Sequence, residues 1–328
     1  MILVTGGAGY IGSHTVVELL DSGYEVVIID NFYNSKPPAL DAIRKVTGKD
    51  FRFYEADVCD KAALQRIFKE NNITEVIHFA GLKAVAESVK VPLKYYRNNV
   101  CGTTALLEVM SEFSCKRLVF SSSATVYGLP EAVPVTEESP LSAINPYGQT
   151  KLIIENMCRD LAESDDSWEI ALLRYFNPVG AHKSGILGED PNGIPNNLMP
   201  LILKTARGEM KELSVFGDDY PTKDGTCIRD YIHVVDLAKG HIAALNHMKA
   251  GARAYNLGTG KGYSVLEIVE TFKRVTLADV PYVIAARRAG DAAECWSDPA
   301  KAARELNWRA ELGIDSMCID SFNARRVT

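Results

Sequence analysis

The chain has 328 residues, enough for one large domain or two smaller ones, and its 47% hydrophobic and 24% charged residues are ordinary for a globular protein. The net charge of −6 argues against nucleic acid or an anionic membrane surface as a partner. No apolar run reaches the length that a membrane span requires.

The N-terminal residues contain no basic leader before the first glycine turn, so we expect no signal peptide. The seven cysteines are scattered, odd in number and without a C-x-x-C pair. This pattern predicts reduced thiols in a cytoplasmic protein and no metal site.

The first half of the chain alternates short apolar runs with amphipathic stretches. Predicted strands are Ile2–Thr5, Glu25–Asp30, Phe51–Glu55, Glu75–Phe79, Arg117–Ser122 and Glu169–Tyr175. Predicted helices include Ile11–Leu20, Lys61–Lys69, Pro92–Phe113 and Pro146–Leu161. Such alternation is typical of an α/β fold with a doubly wound parallel sheet and helices on both faces.

After Asn177 the pattern changes. Residues 178–200 are rich in Gly, Pro and Asn without a period, which predicts an ordered ligand-binding loop. Helices at Leu198–Arg207, Val234–His247 and Val265–Val275 and a strand at Ala254–Leu257 follow. We predict a first domain of residues 1–176, to which segments of 231–258 return, and a smaller mixed α/β domain of residues 177–328.

The first strand leads directly into a glycine-rich turn, where Gly6, Gly9 and Gly12 have the spacing G-x-x-G-x-x-G. Such glycines let the backbone approach a pyrophosphate, which the N-terminus of the next helix stabilises electrostatically. Asp30 ends the second strand, where an acid can bond both ribose hydroxyls and would repel a 2′-phosphate. Together these features predict a Rossmann-type domain that binds NAD rather than NADP.

Later strand ends provide further candidate contacts. Asp57 follows the third strand beside Val58, and it either contacts the adenine or caps the next helix. Lys83 follows the fourth strand, at the edge where parallel sheets bind ligands, and faces either the cofactor or the solvent. Ser123 follows the fifth strand, where it either hydrogen-bonds a sugar hydroxyl or belongs to a simple strand-end turn.

A helix that begins at Asn145-Pro146 would place Tyr147 and Lys151 four residues apart on one face. A tyrosine is a poor base because its ordinary pKa is about 10, but a close ammonium and an oxidised nicotinamide would favour the phenolate. The pair is then a general acid and base near neutral pH. The alternative is a packed tyrosine and a solvated lysine.

Nine motifs, in order along the chain, resemble those of the UDP-galactose (UDP-glucose) 4-epimerases, a family of extended short-chain dehydrogenases/reductases. They are GGAGYIG, HFAGLKAV, SSSATVYG, NPYGQTK, RYFNPVGAH, GIPNNLMP, RDYIHVVD, YNLGTG and RRAGD. The resemblance runs from residue 2 to about residue 309. It implies an isomerase that oxidises a UDP-hexose at C4 with tightly held NAD, turns the 4-keto sugar over, and reduces it on the other face.

By this resemblance, Tyr147 takes the proton of the sugar 4-hydroxyl and Ser123 hydrogen-bonds the same hydroxyl. Lys151 holds the nicotinamide ribose and lowers the pKa of Tyr147. The implied cofactor contacts are Gly6, Gly9, Tyr10, Ile11, Gly12, Asp30, Asn31, Asn34, Ser35, Asp57, Val58, Phe79, Ala80, Gly81, Lys83, Tyr147, Lys151 and Tyr175.

The resemblance also implies how the UDP-sugar is held. The substrate contacts are Lys83, Asn98, Ser123, Asn177, Asn197, Leu198, Arg229, Arg288, Asp291 and Cys295. The two arginines bind the pyrophosphate, because guanidinium groups suit phosphate oxygens. The resemblance further implies a homodimer that pairs the helices predicted at Pro92–Phe113 and Pro146–Leu161.

Two departures from the family pattern stand out. Gln149 and Thr150 replace the frequent Lys and Ser, and we expect them to point away from the Tyr147–Lys151 face and to matter little. Cys295 stands where many bacterial relatives carry a bulky tyrosine beside the hexose. Its small size leads to the hypothesis that UDP-GalNAc and UDP-GlcNAc are interconverted as well; the alternative is a buried, space-filling thiol.

Two rival functions share the fold. Sugar-nucleotide 4,6-dehydratases need an acid beside the strand-end Ser/Thr, where this chain has Ala124 and Thr125. A non-enzymatic NAD-binding regulator would be expected to lose the catalytic pair, whereas Ser123, Tyr147 and Lys151 are all present.

Overall fold

A parallel sheet of seven strands forms the centre of the computed structural model, which describes residues 1–192, 197–288 and 290–324. The strands of the protein are β1 (Ile2–Thr5), β2 (Val26–Asp30), β3 (Arg52–Glu55), β4 (Glu75–His78), β5 (Arg117–Ser121), β6 (Glu169–Tyr175), β7 (Asn177–Val179), β8 (Leu213–Phe216), β9 (Ile228–His233), β10 (Gly251–Leu257), β11 (Gly262–Ser264), β12 (Tyr282–Ala285) and β13 (Glu294–Cys295). In the central sheet their order is β10-β6-β5-β4-β1-β2-β3. The predicted α/β fold with a doubly wound parallel sheet is confirmed.

Helices cover both faces of this sheet. The helices of the protein are α1 (Tyr10–Asp21), α2 (Pro38–Thr47), α3 (Lys61–Glu70), α4 (Val85–Lys90), α5 (Pro92–Tyr95), α6 (Gly102–Glu112), α7 (Pro146–Ser164), α8 (Leu198–Ala206), α9 (Val234–Asn246), α10 (Val265–Thr276), α11 (Ala300–Glu305) and α12 (Ile314–Asn323). Of these, α8, α10 and α12 pack instead with two smaller sheets. In the ranges that the structure describes, no helix has the length and apolar character needed to cross a bilayer.

Alternate residues of the central strands face opposite sides of the sheet. Val4 and Ile28 pack against the cluster that α1, α2 and α9 supply, whereas Leu3 and Ile29 pack against α3, α6 and α7. Because both faces are covered, these strands are continuous apolar runs rather than alternating ones. The same double cover leaves the carboxyl ends of the strands as the place where polar side chains collect.

The chain returns to the central sheet late in the sequence. Strand β10 pairs with β6 in parallel, from Gly251 opposite Glu169 to Leu257 opposite Tyr175, and α9 packs on α1. The remaining strands form two small sheets: β9 pairs with β7, β11 and β13, and β8 pairs with β12. The domain boundary between residues 176 and 177 stays a prediction.

One predicted helix is interrupted. The stretch Pro92–Phe113 consists of α5, a π-helical turn at Tyr96–Cys101, and α6. The buried side chain of Asn99, within this turn, accepts from Leu82 N over 2.8 Å and donates to Leu82 O over 3.0 Å. We attribute the wider turn to this contact, since π turns insert one residue where a helix serves a specific contact.

His14, His78 and His241 are buried, as is His233, which pairs with Asp320. The ring nitrogens of His78 lie 2.6 Å from Thr5 Oγ1 and 2.9 Å from Thr103 Oγ1. Burial lowers the pKa of His14 and of His78 to about 3, and that of His241 to about 4. These rings are therefore neutral in the folded protein at neutral pH.

We expect the free energy of unfolding to fall as the pH drops below about 6.5, because the unfolded chain takes up protons there while the buried rings do not. Each such histidine contributes a slope of about 1.4 kcal/mol per pH unit until its folded pKa is reached. Urea unfolding between about pH 7 and pH 5 measures this slope. In His241→Phe the slope should fall by about 1.4 kcal/mol per pH unit, which corresponds to one proton fewer taken up on unfolding. His247→Gln, at the exposed end of α9, is the control, and an unchanged slope in His241→Phe would contradict the assignment.

Candidate active site

A cleft runs along the carboxyl edge of the central sheet, where ligands bind in parallel α/β proteins. Its walls are the glycine turn, the ends of β2 and β4, the start of α7 and a loop after β7. The predicted cofactor residues that line it are Gly6, Gly9, Tyr10, Ile11, Gly12, Asp30, Asn31, Asn34, Ser35, Val58, Phe79, Ala80, Gly81, Lys83, Tyr147, Lys151 and Tyr175. Asp57 lies just outside this lining.

The glycine turn is too tight for side chains. Gly6 has a φ of 70°, and a Cβ there would lie 2.8 Å from Ala80 N. A Cβ on Gly12 would overlap the carbonyl oxygen of Gly6. Helix α1 begins directly after Gly9, which caps it without a side chain and leaves its N-terminus open to the cleft. Such an open N-terminus beside a glycine turn fits a pyrophosphate.

Asp30 connects the glycine turn to the end of β2. Its Oδ2 atom accepts from Ala8 N over 3.0 Å, while Oδ1 accepts from Phe32 N over 2.9 Å and from Ser35 Oγ over 2.6 Å. The carboxylate thus stands at the cleft with fixed orientation, where sequence analysis predicted it.

Asp57 acts on the cleft through a neighbour. Its carboxylate accepts from Asn31 Nδ2 over 2.9 Å and from Cys59 N over 2.8 Å. Burial raises the pKa of Asp57, but these hydrogen bonds outweigh it and the pKa is lowered. Helix α3 is capped by Asp60, which accepts from Ala63 N, so the capping alternative for Asp57 is wrong.

The predicted helix start at Asn145-Pro146 is confirmed, with Asn145 Oδ1 accepting from Gly148 N over 2.9 Å. It places Tyr147 and Lys151 on successive turns of α7, with Lys151 Nζ 6.0 Å from the centre of the Tyr147 ring. Lys151 Nζ donates to Ser121 O over 2.7 Å, at the end of β5. Ser123 follows two residues later and hydrogen-bonds to Tyr147. The structure therefore brings the three predicted catalytic side chains together.

Burial dominates the ionisation of this group. It raises the pKa of Tyr147, an effect that Tyr175 increases and the hydrogen bond of Ser123 opposes. Burial lowers the pKa of Lys151 to about 8, against the effect of Glu155. We expected Lys151 to lower the pKa of Tyr147, but its ammonium is directed to a carbonyl oxygen instead. A phenolate at Tyr147 therefore needs a further positive charge in the cleft.

Thr150 is not the bystander that sequence analysis expected. It is buried, donates to Tyr147 O over 2.7 Å and accepts from Asn99 Nδ2 over 3.0 Å. Gln149 donates to Ala143 O over 2.6 Å. Sequence analysis considered only the helix face and did not foresee these neighbours on the other side; that the two residues matter little for activity stays a prediction.

A loop closes one side of the cleft with residues that sequence analysis did not single out. They are Leu187, Gly188, Glu189, Asp190 and Pro191. Lys83 Nζ lies 3.3 Å from Glu189, and Lys36 Nζ lies 2.7 Å from Asp190. Lys83 thus pairs with an acid, which neither sequence alternative foresaw. The aperiodic composition predicted a ligand-binding loop, but it carried no signal for the side chains that would meet the lysines.

The two predicted phosphate-binding arginines converge on Asp291. Arg229 Nη2 lies 3.8 Å from Asp291 Oδ1, and Arg288 Nε lies 3.0 Å from Asp291 Oδ2. The Arg288 guanidinium also lies over the Phe216 ring, 4.8 Å from its centre, and the side chain is 57% exposed. Both cations are therefore held close together without being buried.

Cys295 lies opposite Arg229 in the pairing of β13 with β9. It is partly buried against a small cluster that contains Val126, Tyr127 and Phe176, and burial raises the pKa of its thiol. Val126 belongs to the short helical turn after Ser123. Cys295 therefore lies on the side of the β7-β9-β11-β13 sheet that packs near Ser123.

The other predicted substrate contacts occupy three separate places. Asn177 Nδ2 donates to Asp230 O over 2.9 Å, and Asn98 lines the cleft. Asn197 is exposed at the N-cap of α8, whose first residue is Leu198. Residues 193–196 of the GIPNNLMP motif lie outside the described residues.

Comparison with known proteins agrees with this geometry. Residues 3–321 match the family model described as GDP-mannose 4,6 dehydratase, which spans the extended short-chain dehydrogenases/reductases. The chain is 62% identical over 323 residues to UDP-glucose 4-epimerase of Bacillus subtilis (strain 168), which covers 98% of this chain and 95% of the relative.

Two solved structures extend the comparison. The crystal structure of UDP-glucose 4-epimerase from Bifidobacterium longum in complex with NAD+ and UDP superposes with a TM-score of 0.95 at 56% identity, covering 98% of this chain and 97% of that one. The UDP-Glc/GlcNAc 4-epimerase of Campylobacter jejuni superposes with a TM-score of 0.86 at 37% identity, covering 98% of each chain.

We expect Gly12→Ala to lower the free energy of unfolding by about 1–3 kcal/mol, because the new methyl group displaces the carbonyl oxygen of Gly6. Gly313→Ala is the control: its Cβ meets no atom within 4 Å, so only a modest N-cap cost of about 0.5 kcal/mol is expected. Urea unfolding of both variants tests this, and equal midpoints would show that the turn has more room than the structure gives it.

Proposed function

The chain belongs to the UDP-glucose 4-epimerase family of extended short-chain dehydrogenases/reductases, and from this premise we propose that it interconverts UDP-galactose and UDP-glucose with NAD as cofactor. The observation that carries the proposal is the meeting of Ser123 with Tyr147 and Lys151, since the latter two line the same cleft as the glycine turn and Asp30. The reaction is an isomerisation and has no net redox change.

Tyr147 takes the proton from the sugar 4-hydroxyl and returns it after the sugar has turned over. Ser123, hydrogen-bonded to Tyr147, orients that hydroxyl. Lys151, whose ammonium donates to Ser121 O beside the cleft, would hold the nicotinamide ribose, as the family resemblance implies. Bound NAD would supply the hydride acceptor and donor for C4 of the sugar. The glycine turn and Asp30 would hold the pyrophosphate and ribose of the cofactor.

The UDP part of the substrate is held by Arg229 and Arg288, which exchange Asp291 for phosphate oxygens. Arg288 is more than half exposed, so its guanidinium can turn without breaking a buried contact. A firm hold on UDP with few contacts to the hexose is what lets the 4-keto sugar present both faces. In this arrangement Asp291 serves the uridine ribose, as the family resemblance implies.

The dehydratase alternative is less well supported. Beside Ser123, Thr125 Oγ1 donates to Ser123 Oγ over 3.0 Å and Ala124 is apolar. Neither side chain can protonate a departing 6-hydroxyl. The regulator alternative would leave the assembled Ser123–Tyr147–Lys151 group without a purpose.

We further propose a cytoplasmic homodimer. All seven cysteines, each within the described ranges, are free thiols, as expected in a reducing compartment. The pairing helices would be α6 and α7, where Phe113 at the end of α6 is 40% exposed. Light scattering should give twice the mass of the chain, and a monomer would contradict this part of the proposal.

Purified protein given UDP-galactose and no added nicotinamide should form UDP-glucose until the two sugars reach a fixed ratio, followed by NMR of the sugar protons. Tyr147→Phe should slow this by about 10²–10⁴-fold, because the acid–base group is lost. Tyr24→Phe, whose hydroxyl bonds Asn246 far from the cleft, is the control. A 4-keto-6-deoxy product would favour a dehydratase, and bound NAD without turnover would favour a regulator.

Cys295→Tyr should reduce conversion of UDP-GalNAc by about 100-fold while that of UDP-galactose persists, because the larger ring fills the space for a 2-N-acetyl group. Cys295→Ala is the matched control and should keep both activities. The measurement is kcat/KM for each sugar. Equal loss of both activities in Cys295→Tyr would exclude a role in sugar choice and leave the thiol as a space-filling side chain.

A further inference from the structure

A buried ion pair joins Glu155 of α7 to Arg174 of β6, close to the turn that carries Ser123. Arg174 Nε donates to Glu155 Oε1 over 2.9 Å, and Arg174 Nη2 donates to Glu155 Oε2 over 2.6 Å. Their side chains are 0% and 1% exposed. Among the described residues that line the cleft, neither of the two appears, so the pair acts on the site through other groups.

The pair holds the chain on both sides of Ser123. Glu155 Oε1 also accepts from Ser122 Oγ over 2.6 Å, directly before Ser123. Arg174 Nη1 donates over 3.0 Å to the hydroxyl of Tyr127, which closes the short helical turn after Ser123. Ser123 is thereby fixed from two directions by one ion pair.

The same pair holds the helix that carries the other catalytic side chains. Glu155 lies one helical turn beyond Lys151 and two turns beyond Tyr147, so it shares their side of α7. Removing the pair would remove the buried contacts that fix this side of α7 to the end of β5 and to β6. A shift of the order of 1 Å in such a group costs about 100-fold in rate.

Glu155 also acts on the charge of Lys151. The groups around Lys151 are the Ser121 carbonyl, the Phe120 ring at 4.7 Å, Tyr147, and His78, whose pKa Lys151 lowers. Burial lowers the pKa of Lys151, and Glu155 is the carboxylate that opposes it.

The groups around Glu155 itself are cations, the hydroxyls of Ser122 and Tyr127, and the buried Cys158 thiol, whose pKa Glu155 raises. Besides Arg174 and Ser122 it faces Arg159, one turn further along α7, whose Nη2 donates to Oε2 over 2.7 Å. The pKa of Glu155 is lowered: burial raises it, but these partners outweigh burial. It is therefore a carboxylate throughout the neutral range.

A buried ion pair seldom adds net stability over well-packed apolar residues. We propose that Glu155, held by Arg174, is a positioning residue for epimerisation that sets Ser123 against the Tyr147–Lys151 turn. Its carboxylate, one helical turn from Lys151 on α7, also supports the Lys151 ammonium. The proposal rests on the proposed function for its kinetic part.

The test is a double variant, Glu155→Leu with Arg174→Met, which removes both charges together and avoids an unpaired buried arginine. We expect a folded protein by circular dichroism, kcat reduced by about 100-fold and unchanged affinity for UDP. The alkaline limb of the pH–rate profile should move to lower pH, because Lys151 no longer has the carboxylate that opposes the loss of its proton. The carbon-13 shift of the Lys151 Cε atom in lysine-labelled protein should titrate at a correspondingly lower pH.

The matched control is Arg117→Met. Arg117 lies at the opposite end of β5 and pairs with Glu75 over 2.5 Å and Glu169 over 3.0 Å. It should lose stability but keep kcat and the titration of Lys151. Ser122→Ala, which removes one hydrogen bond of Glu155 and no charge, should lower kcat by a smaller factor without moving the Lys151 titration.

The outcomes are distinct. If the double variant keeps kcat and the Lys151 titration, or loses kcat and UDP affinity together as a generally loosened protein would, the proposal is wrong. Absence of turnover in the unmodified protein would count against the proposed function instead. In that case the Lys151 titration still tests whether the Glu155 carboxylate supports the Lys151 ammonium. A titration that does not move in the double variant overturns that claim.

Discussion

The ammonium of Lys151 is buried at the point where β5 ends, and the geometry of the site depends on how that charge is accommodated. Burying a charge is costly unless it is paired or hydrogen-bonded. Here the Ser121 carbonyl, the Phe120 ring and the nearby carboxylate of Glu155 share the compensation. Because these partners belong to β5 and α7, accommodating the charge also fixes the helix to the strand. Tyr147 then meets Ser123 as a consequence.

Burial acts on both ionisable groups of the site in the direction of the neutral form. The pKa of Tyr147 rises and that of Lys151 falls to about 8. The reactive phenolate of Tyr147 is therefore favoured only when further positive charge enters the cleft, which is what an oxidised nicotinamide brings. Tyr147 is therefore available as a base when the oxidised cofactor occupies the cleft and stays a neutral phenol otherwise.

The two halves of the site have different mechanical character. The chemical groups stand on strand ends and on a helix that buried polar contacts hold in place, such as Asn99 with Thr150 and Glu155 with Arg174. The two arginines proposed to bind UDP lie at partly exposed positions, and they share one acid. Rigid support suits proton and hydride transfer, whereas exchangeable ion pairs suit a substrate that must enter, turn and leave.

Local rules allowed the sequence to determine much of this protein. Glycine spacing after an apolar strand, Asp30 at the next strand end, and the Asn145-Pro146 helix start depend on neighbours within a few residues, and the structure contains each of them. Tertiary structure alone decided the contacts between Arg174 and Glu155, Asn99 and Thr150, and Lys83 and Glu189, which are 19, 51 and 106 residues apart. It also decided the direction of the pKa shift of Tyr147, because that direction depends on burial, and burial is a property of the packed fold rather than of any local pattern.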